Sequence, residues 1–424
     1  MMNERTPLRD ITKELLSRVA PADLVVGIPC FNNGETIAAV IENAARGLAE
    51  HFPQHRGCIV IADGGSTMDN TREVALAALK SSGAHGVVGI YRGLPGKGSA
   101  VRMIFAAAEQ LGAQAVTLMD SDLRSTSPLW VERLLGPVVN GGYGFVAPLY
   151  ARYKYDGTIT NNVTHNMLRC LFGKRVRQPI GGEFALSGQL ASELIQEPVW
   201  ETDIARFGID IWLTISALCR GVRCCQTHLG VKVHDAKDPA ASLEPMFRQV
   251  VGTLFALMED TEKHWRPVTG SKPLDTWGEP LDQEPEAFPI DFDRLVETFF
   301  VSWQTLRGAW QTILTPDTFA ELELRVDIGR TSFEIPTDLW ARLLFEFAAA
   351  YHHRTTAKRQ VIEVLSPLYF ARVATFIQRS REMTNAEAEL LVEEQARLFE
   401  LRKPYLLQLW DRGPGSEQLD RAQE

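Results

Sequence analysis

The segment Ala115-Val116-Thr117-Leu118-Met119-Asp120-Ser121-Asp122 decides the fold. Its first four residues form a short apolar run, the pattern of a strand buried on both faces of a parallel sheet. Two carboxylates one residue apart follow at once. Open α/β sheets bind ligands just beyond the carboxyl ends of their strands. Hard oxygen ligands at such a place suit Mg2+ or Mn2+ bridging to phosphates. Taken alone, an acidic pair after a strand also reads as a solvated turn, so the chain around it has to decide.

Three segments upstream, two of them strand–loop–helix and the third a loop and helix, decide it. Val25 to Pro29 is strand-like, Asn32-Asn33-Gly34 is a turn, and Glu35 opens a helical stretch to about His51. Cys58 to Ala62 is a second strand. It ends in Asp63, and the turn Gly64-Gly65 leads to a helix start that Ser66, Thr67 or Asp69 can cap. The third, Leu94-Pro95-Gly96-Lys97-Gly98-Ser99-Ala100, sets Lys97 between glycines ahead of an Ala-rich helix to about Gln110. An ammonium at a helix N-terminus favours anions; an exposed turn lysine is the plainer reading. The spacing of a Walker A loop is absent.

This ordered set resembles the nucleotide-sugar glycosyltransferases of the GT-A fold, an α/β, Rossmann-like class. The resemblance continues through Pro179-Ile180-Gly181-Gly182-Glu183, Phe207-Gly208-Ile209-Asp210 and Leu229-Gly230-Val231-Lys232-Val233-His234. That order is similar to one branch, the retaining glucosyl-3-phosphoglycerate synthases with the glucosylglycerate and mannosylglycerate synthases. It spans roughly residues 22 to 260. The resemblance implies that Pro29, Phe31, Asn33, Glu35, Asp63, Lys97, Asp120 and Ser121 bind an NDP-sugar such as NDP-glucose. It implies that Asp122 and His234 hold Mg2+ or Mn2+ on the diphosphate. Without it, His234 reads as an ordinary surface histidine. Glu183 and Asp210 would lie at the donor sugar, completing a catalytic set with Lys97. A structural bridging role for Glu183 is the alternative.

One departure from the branch concerns the acceptor. The phosphoglycerate-using relatives carry Gly-Arg-x-Thr where this chain has Gly157-Thr158-Ile159-Thr160, and an Asn two residues after the metal-binding His where it has Ala236. A phosphate monoester normally recruits Arg. The expected acceptor site is therefore Arg152, Lys154, Gly157, Thr158 and Thr160, holding D-glycerate rather than a phosphorylated acid. The sugar moved would be glucose or mannose, and the alternatives are 3-phosphoglycerate as acceptor, or an inverting enzyme with a saccharide or lipid acceptor.

At 424 residues the chain is too long for one ordinary domain. We expect a GT-A catalytic domain over 1–245 and an all-helical C-terminal domain over 246–424. Periodic apolar positions such as Leu295, Phe299, Trp303 and Leu306 mark helices at about 291–314, 336–353, 356–381 and 385–411, after a Pro-rich loop from Arg266 to Pro289. The formal net charge of −9 argues against nucleic-acid binding and a basic membrane patch. No apolar run reads as a spanning helix, and the first twenty residues do not resemble a signal peptide. Six scattered cysteines read as reduced thiols of a cytoplasmic protein. The apolar faces of the helical half suggest a homodimer.

Overall fold

The computed structural model describes residues 6–65, 68–233, 239–287 and 290–413. The chain forms two compact units, each assembled from separate stretches. The first comprises Met1–Ala151, Gln178–Ala236 and Leu274–Pro285; the second comprises Arg152–Arg177, Lys237–Pro273 and Glu286–Glu424. They are not two continuous stretches meeting at residue 245. Segment 152–177 leaves the sheet unit because its polar side chains are met by the C-terminal helices, and 274–285 joins that unit because it adds an edge strand.

The first unit is a mixed sheet of β1 (Leu24–Cys30), β2 (Gly57–Asp63), β3 (Gly86–Ile90), β4 (Ala115–Leu118), β5 (Phe145–Ala151), β6 (Ala185–Ser187), β7 (Cys224–Val231) and β8 (Asp275–Trp277). Their order is β8-β7-β5-β6-β4-β1-β2-β3, parallel except for β6. β1 and β4 are buried along their whole length. Each large aliphatic side chain removed from water in this way contributes roughly 1.5–3 kcal/mol. From β1 the chain winds outward through β2 and β3, then returns to place β4 on the other flank of β1, in register Leu24↔Ala115. The crevice between the ends of β1 and β4 is thus the switch point where such sheets bind ligands. The helices Ile37–His51 and Lys97–Leu111 follow β1 and β3 as expected.

The second unit is helical: Pro239–Asp260, Phe292–Ile313, Pro316–Asp327, Thr337–His353, Lys358–Ser380 and Asn385–Arg412. Helix 316–327 goes beyond the sequence expectation, although its start is marked by Thr315, whose hydroxyl accepts from the Thr318 N–H, and by Pro316 at the first turn. The Pro-rich loop is only partly a loop, since Asp275–Trp277 pairs with β7. A second correction concerns helix 358–380. Its 23 residues are long and apolar enough to cross a membrane by length and composition, and 83% of its apolar window is buried inside the protein. Its apolarity is that of a core helix.

Candidate active site

At the switch point two loops are tied together. The Asn33 side-chain oxygen accepts from the Phe31 N–H (3.0 Å) and from the Ser121 hydroxyl (2.8 Å). Thr36 donates to the Ser121 carbonyl at 2.7 Å. The Asn33 N–H donates to Thr71, whose N–H and hydroxyl donate in turn to Asp69. Four of the expected nucleotide-site residues, Pro29, Phe31, Asn33 and Ser121, therefore sit on one braced rim. Phe31 is 57% exposed there, an apolar ring presented to solvent. Pro29 and Cys30 run parallel to Ala62 and Asp63. Asp63 is buried and accepts the Gly65 N–H at 3.1 Å. Glu35 lies on the outside, 3.6 Å from Arg124.

Below this rim lies a lattice of buried charges. Lys97 Nζ is 2.8 Å from Asp120 and 3.3 Å from Asp210. Lys232 Nζ is 2.8 Å from Glu183, 3.6 Å from Asp120, and donates to the Gly181 carbonyl at 2.8 Å. The Asp120 N–H donates to the other Glu183 oxygen at 3.2 Å, and the Tyr150 hydroxyl also binds Glu183. Backbone pairing sets the register: the Phe184 carbonyl accepts from the Leu118 N–H and the Thr117 hydroxyl, so Glu183 must face Asp120.

Two glycines permit the packing. Gly182 has φ +96, and a Cβ there would stand 2.5 Å from an Asp120 oxygen. A Cβ on Gly98 would stand 1.9 Å from the Ile204 carbonyl, so only glycine lets the Lys97 loop lie against the 203–206 turn.

The lattice holds three carboxylates against two ammonium groups. Burial alone would draw the Lys97 pKa down, but Asp120, Asp210 and Glu183 together hold it well above the ordinary lysine value. Burial pushes Asp120 up, and Lys97 and Lys232 outweigh it, holding the carboxyl well below its usual range. Glu183 has no exposed surface, and burial pushes it up to about 7 against the pull of Lys232. Burial also raises Asp210, against Lys97. Burial and the two ammonium groups thus draw the carboxyls apart, Asp120 down and Glu183 up. Both Glu183 oxygens are spent on protein donors. A sugar hydroxyl would have to displace one of them, so this geometry makes Glu183 a brace for Asp120 and Lys232.

Asp122 follows in the turn after β4, half-buried. The loop beyond it is pinned to the end of β7: the Arg124 N–H donates to the Val233 carbonyl and the Val233 N–H to Ser125, both at 2.9 Å. His234 comes next in the chain and lies, with Ala236, outside the described residues. Among the described residues no three His, Cys, Asp or Glu side chains converge as metal ligands. Lys232 and Tyr150 escaped the sequence reading. The available signal was a lysine closing a buried strand, where an unpaired charge is not tolerated.

The expected acceptor residues belong to the second unit. Lys154 donates to the carbonyls of Ser380 (2.8 Å), Arg381 (2.9 Å) and Met383 (2.6 Å). An ammonium has three donors, and all three are used in capping helix 358–380, which is not the anion-holding role expected of it. Thr158 is likewise buried, its hydroxyl 2.6 Å from that of Tyr369, rather than offered to a ligand. Arg152 lies 3.5 Å from Asp156. Gly157 turns the chain at φ +69, and Thr160 opens a π-helical turn over Thr160–Thr164.

Comparison with known proteins identifies the family. Residues 25–191 match the family described as glycosyl transferase family 2. Glucosyl-3-phosphoglycerate synthase of Mycobacterium tuberculosis is 31% identical over 269 residues, covering 57% of this chain and 76% of that protein. The protein of the same name from Mycolicibacterium paratuberculosis is 27% identical over 263 residues, covering 57% and 74%. A crystal structure of the M. tuberculosis synthase with Mn2+, uridine-diphosphate-glucose and phosphoglyceric acid is 28% identical, covering 58% of this chain and 83% of that one, with a TM-score of 0.44. The chain belongs to the family of the glucosyl-3-phosphoglycerate synthases and is a glycosyltransferase with a family 2, GT-A domain.

Proposed function

We propose that the protein transfers glucose from an NDP-glucose to the 2-hydroxyl of D-glycerate with retention at the anomeric carbon, using Mg2+ or Mn2+. The observation that carries the donor half is the buried Lys97–Asp120–Glu183–Lys232 lattice at the β1/β4 switch point. A departing diphosphate needs positive charge supplied in advance and away from water; Lys97, shared with two carboxylates, supplies it in part, and a divalent ion would supply the balance. Lys97 is held there by two carboxylates, and Phe31 offers a ring face at the rim for a base.

Asp120 is committed to two ammonium groups, and the family resemblance gives the metal-ligand role to Asp122. One carboxylate, the imidazole of His234 and diphosphate oxygens make a donor set that suits Mg2+ or Mn2+. The ion would neutralise charge on the leaving diphosphate. Asp210, held 3.3 Å from Lys97, is the carboxylate best suited to accept hydroxyls of the donor sugar.

The acceptor half rests on charge accounting in segment 152–177. Arg152 lies beside Asp156, Lys154 caps a helix, Arg169 pairs with Glu393 and Glu400, and Arg177 pairs with Glu389. The other two cations of the segment, Lys174 and Arg175, lie at its far end, where Arg175 donates to Ser271; a doubly charged phosphate held by any of the first four would need its present interaction broken, at several kcal/mol if the group left behind is buried. A single carboxylate needs less. The second reading, 3-phosphoglycerate as acceptor, is favoured by the name of the relatives.

Asp122→Ala should lower turnover of NDP-glucose with D-glycerate by about two orders of magnitude or more, and chelation by EDTA should do the same. Turnover within a few-fold of wild type under both treatments would remove the metal from the reaction.

A further inference from the structure

The π-helical turn at Thr160–Thr164 has a visible cause. The His165 N–H bonds to the Thr160 carbonyl, five residues back, rather than to Asn161. The Asn161 carbonyl is already taken by two side-chain donors, Gln395 Nε2 at 2.7 Å and Asn166 Nδ2 at 3.0 Å. The next carbonyl, of Asn162, accepts the Trp340 indole N–H at 2.7 Å. Side chains from helices 337–353 and 385–412 thus occupy the carbonyls that a regular helix would use. Such insertions into the hydrogen-bond ladder are the recognised cause of local helix distortion, and π turns gather at functional sites.

Gln395 is itself fixed. It is 2% exposed, and its oxygen accepts from Arg372, which also donates to the Ile335 carbonyl at 2.7 Å. Arg177 grips the same turn from the other side. It donates to the Asn161 side-chain oxygen at 2.8 Å while forking onto Glu389. The turn lies directly after Gly157 and Thr158, and the Asn161 N–H returns to the Gly157 carbonyl at 2.9 Å.

We infer that Gln395, seconded by Trp340, is a positioning residue for the acceptor: by holding the Asn161 and Asn162 carbonyls it builds the π turn that sets Gly157 to Thr160 in place. This rests on the proposed acceptor role of that loop. It assigns the C-terminal helices a part in acceptor affinity through the backbone they hold.

The test is Gln395→Glu, which keeps an oxygen facing Arg372 and replaces the donor to Asn161 with an oxygen that the carbonyl repels. KM for D-glycerate should rise about tenfold, the scale of one buried hydrogen bond. KM for the NDP-sugar should stay within about twofold. A merely structural role would move both constants together or neither. A rise in the acceptor KM of less than fivefold relative to the donor KM, in folded protein, overturns the inference. If Gln395→Glu does not fold, Trp340→Phe, which removes one indole N–H, is read by the same criterion. Arg152→Met and Thr160→Val separate the two levels of the argument. If they too leave the acceptor KM unmoved, the acceptor reading itself has failed. If they raise it and Gln395→Glu does not, only the positioning role has failed.

Discussion

Replacing Lys97 by methionine keeps most of the side-chain volume and removes the charge that joins Asp120 to Asp210. Asp120 retains Lys232 at 3.6 Å, whereas Asp210 loses its one ion-pair partner among the described residues. Three carboxylates would then face one ammonium. Breaking a largely buried pair by removing one partner costs about 3–5 kcal/mol, because the other charge is left desolvated. Lys97 and Asp210 side chains are 14% and 13% exposed, so solvent relieves little of this. In a unit of this size the loss corresponds to a fall in melting temperature on the order of 10 °C. Asp210→Asn in the Lys97→Met background removes the orphaned charge and should recover at least about 1 kcal/mol, a non-additive pair. Thermal denaturation of the wild type, both single variants and the double variant at pH 8 measures the coupling. Additive losses within about 0.5 kcal/mol would refute the charge lattice as the organising feature of the site.

The remaining expectations concern pH and the helical unit. Burial pushes Glu183 up to about 7 from the ordinary 4.5, so the native state holds a proton that the unfolded chain releases. The resulting stabilisation is complete below about pH 4.5 and is lost as pH rises to about 7, amounting to roughly 3 kcal/mol. Glu183→Gln should abolish this dependence, and parallel melting curves for the two proteins between pH 5 and 7.5 would contradict it. A chain ended after residue 285 leaves Arg169, 4% exposed, without Glu393 and Glu400, and leaves Thr158 without Tyr369. It should aggregate or lose its near-ultraviolet dichroism, and a monomeric, fully active truncated chain would show the helices to be dispensable.

The sheet was legible because its signals are local. Ala115–Leu118 follows the polar Gln114, and the apolar run closes at Met119, just before Asp120. The loops after β1 and β4 were legible as lying at the carboxyl edge of the sheet for the same reason. Lys232 was not, since its meaning depends on Glu183 and Asp120, which reach it only through the register of β4 with β6. Thr158 shows the limit most clearly. Its replacement of an arginine was visible in the chain, but the direction of its hydroxyl is decided by Tyr369, 211 residues away. Lys154 was read as an anion holder because a nearby cation is all that sequence displays. The carbonyls it caps come from residues 380 to 383.

The ratio of kcat/KM for D-glycerate to that for 3-phosphoglycerate, with UDP- and GDP-glucose as donors and Mg2+ or Mn2+ present, tests the central claim most directly. With Arg152, Lys154, Arg169 and Arg177 already engaged, the account predicts a ratio of at least about ten in favour of D-glycerate, the scale of one unpaired charge-assisted contact. A ratio below one, with 3-phosphoglycerate preferred, would contradict it.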